Sequence, residues 1–350
     1  MLLLGKTQTA FAFARAYPYL CRSMNRMIDI FSVLGHRLAA FGKTPDTVEV
    51  VRRAAVENPW FLPQEIIRAV KAIRCEMLER QRLEAWAGAY PPVRTPKRVL
   101  VVMAGNIPLV GFFDLLCVLA SGHACRVKPS SKDTVLIGYV VDLLRTIDPA
   151  IPLRMAEQGE RLDAVIATGS DNANRYFRML FGGIPSLLRG SRQSVAVLSG
   201  RETAAELSGL EEDIFAYSGL GCRNVSLVFL PEGAELRLRM PAVQAKYRNN
   251  YLQTRALLRM QECPFVDLGA AVAVEQREFP RALSEIAYAR YRSADEVAAW
   301  LAEHDAELQC VVTETLPHAR RADFGRAQSP SLTDYPDNRD VLAWLSAPGV

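Results

Sequence analysis

Cys222 is the residue around which chemistry can be built. It lies in the stretch Tyr217 to Ser226, YSGLGCRNVS, behind two closely spaced glycines and directly before Arg223. A thiolate near a cation has a lowered pKa and is the nucleophilic form of cysteine. Glycines let backbone N–H groups approach an oxygen that must become negative. The run VSLVFL behind it is apolar and of strand type, suited to holding the sulfur in place. The competing reading is an inert core cysteine near a turn.

Other polar residues suit companion roles, each with a plainer alternative. Asn106, between Gly105 and Ile107-Pro108, could donate its amide to an oxyanion, or it is an ordinary turn asparagine. Lys128 is placed to bond ribose hydroxyls or an adenosine phosphate, or it is a solvated lysine. Ser170, with the Gly169 and Ser170 amides at a helix start, suits a phosphate oxygen, or it is a simple helix cap. His123 could serve Cys222 as a base, although a lone histidine between small residues is more often structural. Asn224-Val225-Ser226 matches a glycosylation pattern but carries no weight at the start of a strand.

The elements that must position these residues can be read along the chain. Residues 1 to about 90 read as helical, best seen from Pro63 to Trp86, with Asn58-Pro59 as a helix-start signal. The GKT at Gly5 to Thr7 lacks the earlier glycine and preceding strand of a phosphate loop and reads as chance. YPPVRTPK, Tyr90 to Lys97, is a proline-rich boundary. Beyond it strands alternate with helices: RVLVVMA, HACRVK, LDAVIAT and SVAVLSG are the strands. That alternation indicates an α/β fold with a doubly wound parallel sheet, whose ligands bind at the strand carboxyl ends. The polar turns GNIP, KPSS and TGSD all follow strands, which gathers them on one rim. KYRNNYLQTRALLRMQ is a further helix, SADEVAAWLAEHDAELQCVVTE is helix then strand, and the end is irregular with a short helix.

Composition narrows the function classes. Half the residues are apolar and 23% are charged, which is globular rather than disordered. The net charge of +4 comes without a basic run, so nucleic acid is not called for, while an anionic nucleotide or coenzyme A would be welcome. The seven cysteines are odd in number and show no C-x-x-C spacing, and with four scattered histidines they form no metal set. MLLLGK is too short for a signal peptide, and Ile107 to Ala120 is too short to span a bilayer. A cytoplasmic, membrane-free enzyme is expected. There is no G-x-G-x-x-G, so nucleotide binding must rest on other groups.

Together the stretches VVMAGNIPLVGFFDLL, VKPSSKD, DAVIATGSDNANRYF, SVAVLSG, DIFAYSGLGCRNVS, KYRNNY and FGRAQSPSLTDY resemble the bacterial fatty-acyl-CoA reductase family related to the enzyme of bioluminescence. That family is a branch of the aldehyde dehydrogenase superfamily. The motifs run in the expected order from about Asn58 to Leu345. The resemblance implies an aldehyde-dehydrogenase-like fold. Residues 1–92 would be a helical region packing on the cofactor domain, 93–208 the nucleotide-binding domain, 209–285 a smaller catalytic domain, and 286–350 a return to the cofactor domain with a terminal tail. It also implies that Cys222 is the acyl-accepting nucleophile and Asn106 the oxyanion-hole asparagine. Lys128 in KPSS would hold the adenosine ribose, Gly169 and Ser170 in TGS would lie near the pyrophosphate and nicotinamide, and Ser130 and Thr168 would be further cofactor-binding residues.

One departure bears on the reaction. Hydrolytic aldehyde dehydrogenases carry a glutamate base before the strand at Ser194, where this chain reads RGSRQSVAVL; Glu202 is the nearest alternative acid. The resemblance therefore implies NADPH- or NADH-dependent reduction of an acyl-CoA or acyl-carrier-protein thioester to an aldehyde, with coenzyme A released. Two other readings stay open: a coenzyme A-independent aldehyde dehydrogenase, and a non-catalytic acyl-carrier subunit of a reductase complex. A homo-oligomer is compatible with each.

Overall fold

The computed structural model describes residues 18–91, 93–347 and 349–350, with side chains from Asn25 onward except that of Asp171. The GKT and the MLLLGK start lie outside the described residues. The chain forms two compact units, Met1–Gly190 with Ser331–Val350, and Ser191–Pro330.

In the first unit, among the described residues, four α-helices precede the sheet: α1 (Pro18–Arg37), α2 (Pro45–Glu57), α3 (Pro63–Met77) and α4 (Arg80–Ala87). The continuous helix expected from Pro63 to Trp86 is broken at Leu78 and Glu79, where the backbone leaves the helical conformation and turns extended at Glu79. No residue there is a helix breaker. The break follows packing: Leu78 is buried and its Cβ lies where a Cβ on Gly35 of α1 would come within 3.0 Å. Asn58 closes α2 rather than opening α3, which instead starts on Pro63, a residue whose fixed φ suits the first helical position.

The sheet follows as β1 (Arg98–Val102), α5 (Phe112–Ala120), β2 (Ala124–Lys128), α6 (Thr134–Ile147), β3 (Leu153–Met155), β4 (Ala164–Thr168), α7 (Asp171–Phe181) and β5 (Ser186–Arg189). Its strands run in the order β3-β2-β1-β4-β5 and all pair in parallel. Alternate residues feed opposite faces, as a period of two requires. Val99, Val101, Cys125, Val127, Ala164 and Ile166 join one large core with α1–α6, and α11 (Val341–Leu345) closes it. Leu100, Val165 and Ala167 face the other way, against Phe177 and Phe181 of α7. The sheet is thus covered on both faces, as a doubly wound fold demands.

The second unit contains β6 (Gln193–Val197), α8 (Ala204–Phe215), β7 (Val225–Pro231), α9 (Ala245–Met260), β8 (Val266–Asp267), β9 (Val272–Glu275), β10 (Glu285–Tyr291), α10 (Ala294–Glu303), β11 (Leu308–Val312) and β12 (Arg321–Ala322). The seven strands run β12-β11-β6-β7-β10-β9-β8, parallel except for β8 against β9. On β6 and β7, Ala196, Val228 and Leu230 enter one core layer, while Val195, Val197, Leu227 and Phe229 enter the other.

The units divide elsewhere than the sequence places the boundaries. SVAVLSG was expected in the nucleotide-binding sheet, with a crossing at 208 and a return at 286. The chain crosses at Gly190 and returns after Pro330. The physical reason is β5. Ser186–Arg189 is a strand, and only three residues separate it from β6. Parallel neighbours in one sheet need a crossover of a dozen or more residues, so β6 must start another sheet. Ile286 lies on β10, which pairs with β7 and β9 inside that second sheet.

Among the described residues, no helix is long and apolar enough to cross a membrane. No group of three or more His, Cys, Asp or Glu side chains among them could hold a metal ion.

Candidate active site

Six of the seven sequence-selected residues lie in the first unit. Asn106, Lys128, Ser130, Thr168, Gly169 and Ser170 sit at or just beyond the carboxyl ends of three neighbouring parallel strands. The registers Val102↔Lys128 and Val102↔Ala167 put those ends on one rim. Asn106, Lys128 and Ser170 are exposed there, and Thr168, Gly169 and Ser130 are half-buried.

The rim is built by close approach. A Cβ on Gly105 would lie 2.6 Å from Ser130 Oγ, so only glycine lets GNIP and KPSS meet. Ser130 Oγ also accepts from Lys132 N at 3.3 Å, which makes Ser130 a brace of the rim. Ser170 is the N-cap of α7, its hydroxyl accepting from Ala173 N at 3.4 Å, so the plainer reading of its side chain is realised while α7 still directs its first-turn amides to the rim. Gly169 N donates to Arg189 O at 3.2 Å, tying TGS to β5.

One rim residue escaped the sequence reading. Asp133, the N-cap of α6, is 1% exposed and accepts from Leu109 N at 2.8 Å through Oδ2. Leu109 has φ +57°, a left-handed conformation unusual for leucine. The other oxygen of Asp133 is buried without a hydrogen-bond partner, and burial pushes the carboxyl up to about 8, the Leu109 N–H pulling against this. Asp133 thereby fixes the backbone three residues beyond Asn106.

His123 has both ring nitrogens committed. Nδ1 accepts from Lys97 N at 3.0 Å and Nε2 lies 2.9 Å from Leu345 O, so the neutral ring carries its proton on Nε2. Burial lowers its pKa. It is a structural tie between the start of β1 and α11, with no nitrogen left to act as a base.

Cys222 lies in the second unit and is the one exposed cysteine among the described residues. Burial pushes the thiols of Cys117 and Cys125 well above the usual range and that of Cys310 up to about 11, where the Arg223 charge pulls the other way. Those three are protonated and shielded; among the described cysteines Cys222 alone combines exposure with an elaborately held backbone. Before it, Tyr217, Ser218 and Gly219 have φ of 54°, 56° and 69°, a left-handed run. Non-glycine residues held there cost about 1–3 kcal/mol each and persist where surrounding contacts over-determine them.

The contacts are present. Asn224, 4% exposed, reaches back with its amide nitrogen to the carbonyls of Asp213 (3.0 Å), Ile214 (3.1 Å) and Ala216 (2.9 Å) at the end of α8. Its Oδ1 accepts from Gly221 N at 2.8 Å and its own N–H donates to Gly221 O at 3.0 Å. Across the planar trans peptide the Cys222 N–H must point opposite to that Gly221 carbonyl. Gln244 Nε2 donates to Ser218 Oγ at 2.9 Å, and Ser194 Oγ donates to Cys222 O at 2.8 Å. Asp213, fully buried, accepts from Gly325 N (2.7 Å) and Ala327 N (3.0 Å), binding the FGRA segment to α8; burial pushes its carboxyl up to about 7 against those two N–H groups. Asn224 and Asp213 were visible only as letters in DIFAYSGLGCRNVS, and the one pattern that drew notice to Asn224 was a glycosylation triplet.

Glu202 is occupied. Its carboxylate accepts from Ser199 N (2.5 Å), Ser199 Oγ (2.8 Å) and Gly200 N (3.1 Å), closing the turn after β6. A base engaged in its own turn is ill-suited to activate water.

No protein-family model matches the sequence, and no curated protein does. Solved structures do. A Mycobacterium tuberculosis aldehyde dehydrogenase complexed with NAD+ aligns over 87% of this chain and 77% of its own, with TM-score 0.60 and 13% identity. A Bacillus cereus aldehyde dehydrogenase in complex with NAD+ aligns over 88% and 76%, with TM-score 0.58 and 14% identity. A Sinorhizobium meliloti NAD-dependent aldehyde dehydrogenase aligns over 89% and 75%, with TM-score 0.60 and 12% identity. The chain has the α/β fold of the aldehyde dehydrogenases.

Proposed function

We propose that this chain is an NADPH- or NADH-dependent acyl-CoA reductase that makes an aldehyde through a Cys222 acyl-enzyme. The observation that carries the proposal is the exposed Cys222 on a strained, many-times-braced turn, in a chain with the aldehyde dehydrogenase fold. Cys222 thiolate attacks the thioester carbonyl carbon, forming a new C–S bond. The tetrahedral oxyanion collapses, the original C–S bond breaks, and coenzyme A leaves as a thiolate that takes a proton from solvent. The Cys222 N–H and the Asn106 side-chain amide are assigned to the oxyanion; a donor of this type is worth about 2.7–4 kcal/mol. After reduction of the acyl carbon, the sulfur departs again as thiolate and the aldehyde is released.

The rim of the first unit fits a dinucleotide in the nature of its donors: an exposed Lys128 and the first-turn amides of α7 beyond Thr168 and Gly169. A reduced nicotinamide, when bound, supplies the hydride. Reduction rather than hydrolysis is favoured because β5 and the turn after it, SLLRGSR, hold no acid, and Glu202 is engaged elsewhere. A second reading, aldehyde oxidation without coenzyme A, draws on the aldehyde dehydrogenases that share the fold.

The test is incubation with labelled acyl-CoA, peptide mapping, and absorbance of the reduced nicotinamide with both cofactors. Label on Cys222 that is lost in Cys222→Ala, with coenzyme A released, is the expected outcome. Label retained in that variant overturns the nucleophile assignment, and aldehyde oxidation indifferent to coenzyme A selects the second reading.

A further inference from the structure

We infer that Ser194 is a positioning residue for Cys222, setting the reactivity of its thiol through the main chain. The inference rests on the reading of Cys222 as the nucleophile. Its geometry lies in the second sheet. Ser194 is fully buried on β6, flanked by β11 and β7. The ladder slips on both sides at its level. Gln193 pairs with Leu308 and Ser194 with Cys310, so Gln309 is the extra residue on β11. Ser194 pairs with Val225 and Val195 with Leu227, so Ser226 is the extra residue on β7. Two bulges facing one residue leave backbone groups that the ladder no longer serves.

The Ser194 hydroxyl serves one of them, on β11, together with a carbonyl in the turn just before β7. It donates to Cys222 O at 2.8 Å and accepts from Cys310 N at 3.1 Å. Cys310 Sγ also lies 3.2 Å from Ser194 Oγ, within the range of a weak S–H donor. A hydroxyl has one proton to give, and the bond to Cys222 O takes it. The extra residue on β7 is held by a neighbouring side chain, Ser226 Oγ donating to Gln193 Oε1 at 2.9 Å.

Two consequences follow for the thiol. The Cys222–Arg223 peptide is pinned, so its carbonyl cannot rotate toward its own sulfur. That carbonyl also shares its negative end with a donor, which favours an adjacent thiolate. Removing the hydroxyl frees the carbonyl and raises the cost of ionising Cys222.

The experiment is alkylation of the full chain by iodoacetamide across pH, with Cys222 resolved from the other thiols by peptide mapping. It needs no acyl substrate, so its failure is separate from failure to form an acyl-enzyme in the wild type. Ser194→Ala is expected to slow Cys222 alkylation at neutral pH about five-fold, the factor matching one ordinary hydrogen bond, and to move the pH midpoint upward. Ser194→Thr, which keeps the hydroxyl, should restore the rate to within about two-fold. Should the alanine variant not fold, Ser194→Cys, close in shape but a weak donor, is expected to show the same slowing. A folded alanine or cysteine variant with the wild-type profile overturns the inference. So does a threonine variant as slow as the alanine one, since packing rather than the hydroxyl would then set the reactivity.

Discussion

Asn224 offers the sharpest test of how the Cys222 turn is held. Its amide nitrogen faces three carbonyls at the end of α8 and its Oδ1 takes the Gly221 N–H, all in a site only 4% exposed. The last carbonyls of a helix have no partner within it, so Asn224 acts as a distant cap. Asn224→Ala leaves these groups without their partner. At about 1 kcal/mol net per bond, with the shared amide counted as two, the loss is about 2–4 kcal/mol. Asn224→Asp separates size from chemistry. It keeps an acceptor for Gly221 N but turns a carboxylate oxygen toward three carbonyl oxygens. It should cost about 1 kcal/mol more than alanine at neutral pH, despite equal volume. The sign with pH is fixed. That carboxyl would have a folded pKa above its unfolded value near 3.9, so its stability is retained at low pH and lost as pH rises through the folded pKa. Urea unfolding at pH 5 and pH 8 measures both, with Cys222 alkylation as the local readout. The reasoning is refuted if aspartate is tolerated as well as asparagine, or if alanine costs less than about 0.5 kcal/mol.

Other outcomes follow from the same geometry. Asn106→Ala should lower kcat by roughly 10²–10³ with little change in KM, measured by nicotinamide absorbance; an unchanged kcat removes Asn106 from the oxyanion assignment. Asp133 has a folded pKa raised to about 8, so its contribution is favourable at low pH and is lost as pH rises from about 4 to about 8. Asp133→Asn should therefore gain on the wild type as pH climbs across that window, in unfolding midpoints taken at pH 5, 6.5 and 8. His123 behaves in the opposite sense: its folded pKa is lowered, so its stability is present above about 6.5 and lost as pH falls below that. His123→Ala, giving up the bonds to Lys97 N and Leu345 O, should cost about 2–4 kcal/mol at pH 7.5 and less at pH 5.5, read by thermal unfolding.

The rim was legible in the sequence because its signals are local. RVLVV and AVIAT are largely apolar and β-branched strands, ACRVK alternates buried and less buried positions, each is followed within a few residues by a polar turn, and a parallel sheet brings such ends to one edge. Cys222 was legible for a like reason, since a rare reactive residue stood among glycines and before a strand. The crossing between units was not legible, because SLLR is only four residues long and lacks the β-branched composition that marks a strand. Nor was the support of the site. Asn224 bonds back 8 to 11 residues, Ser194 reaches Cys222 across 28 and Cys310 across 116, and His123 reaches Leu345 across 222. Asn, Ser and Asp are ordinary in turns, so their types do not distinguish a brace from a solvated loop.

That asymmetry has a physical basis. A nucleophile is recognised by what it is, whereas a positioning residue is recognised by what it leaves satisfied. Tyr217, Ser218 and Gly219 hold left-handed conformations immediately before the Leu220–Gly221–Cys222 turn. A turn made only to join α8 to β7 would relax by moving tyrosine and serine to ordinary angles. Here the chain keeps them, with Gln244 bonded to Ser218 and the buried side chains of Asn224 and Ser194 bonded to the backbone that follows at Gly221 and Cys222. Strain that is retained and braced beside the one exposed thiol among the described residues is what pre-organisation of that thiol requires. If the bracing served packing alone, loosening it at Ser194 would change the melting temperature and leave the ionisation of Cys222 where it was.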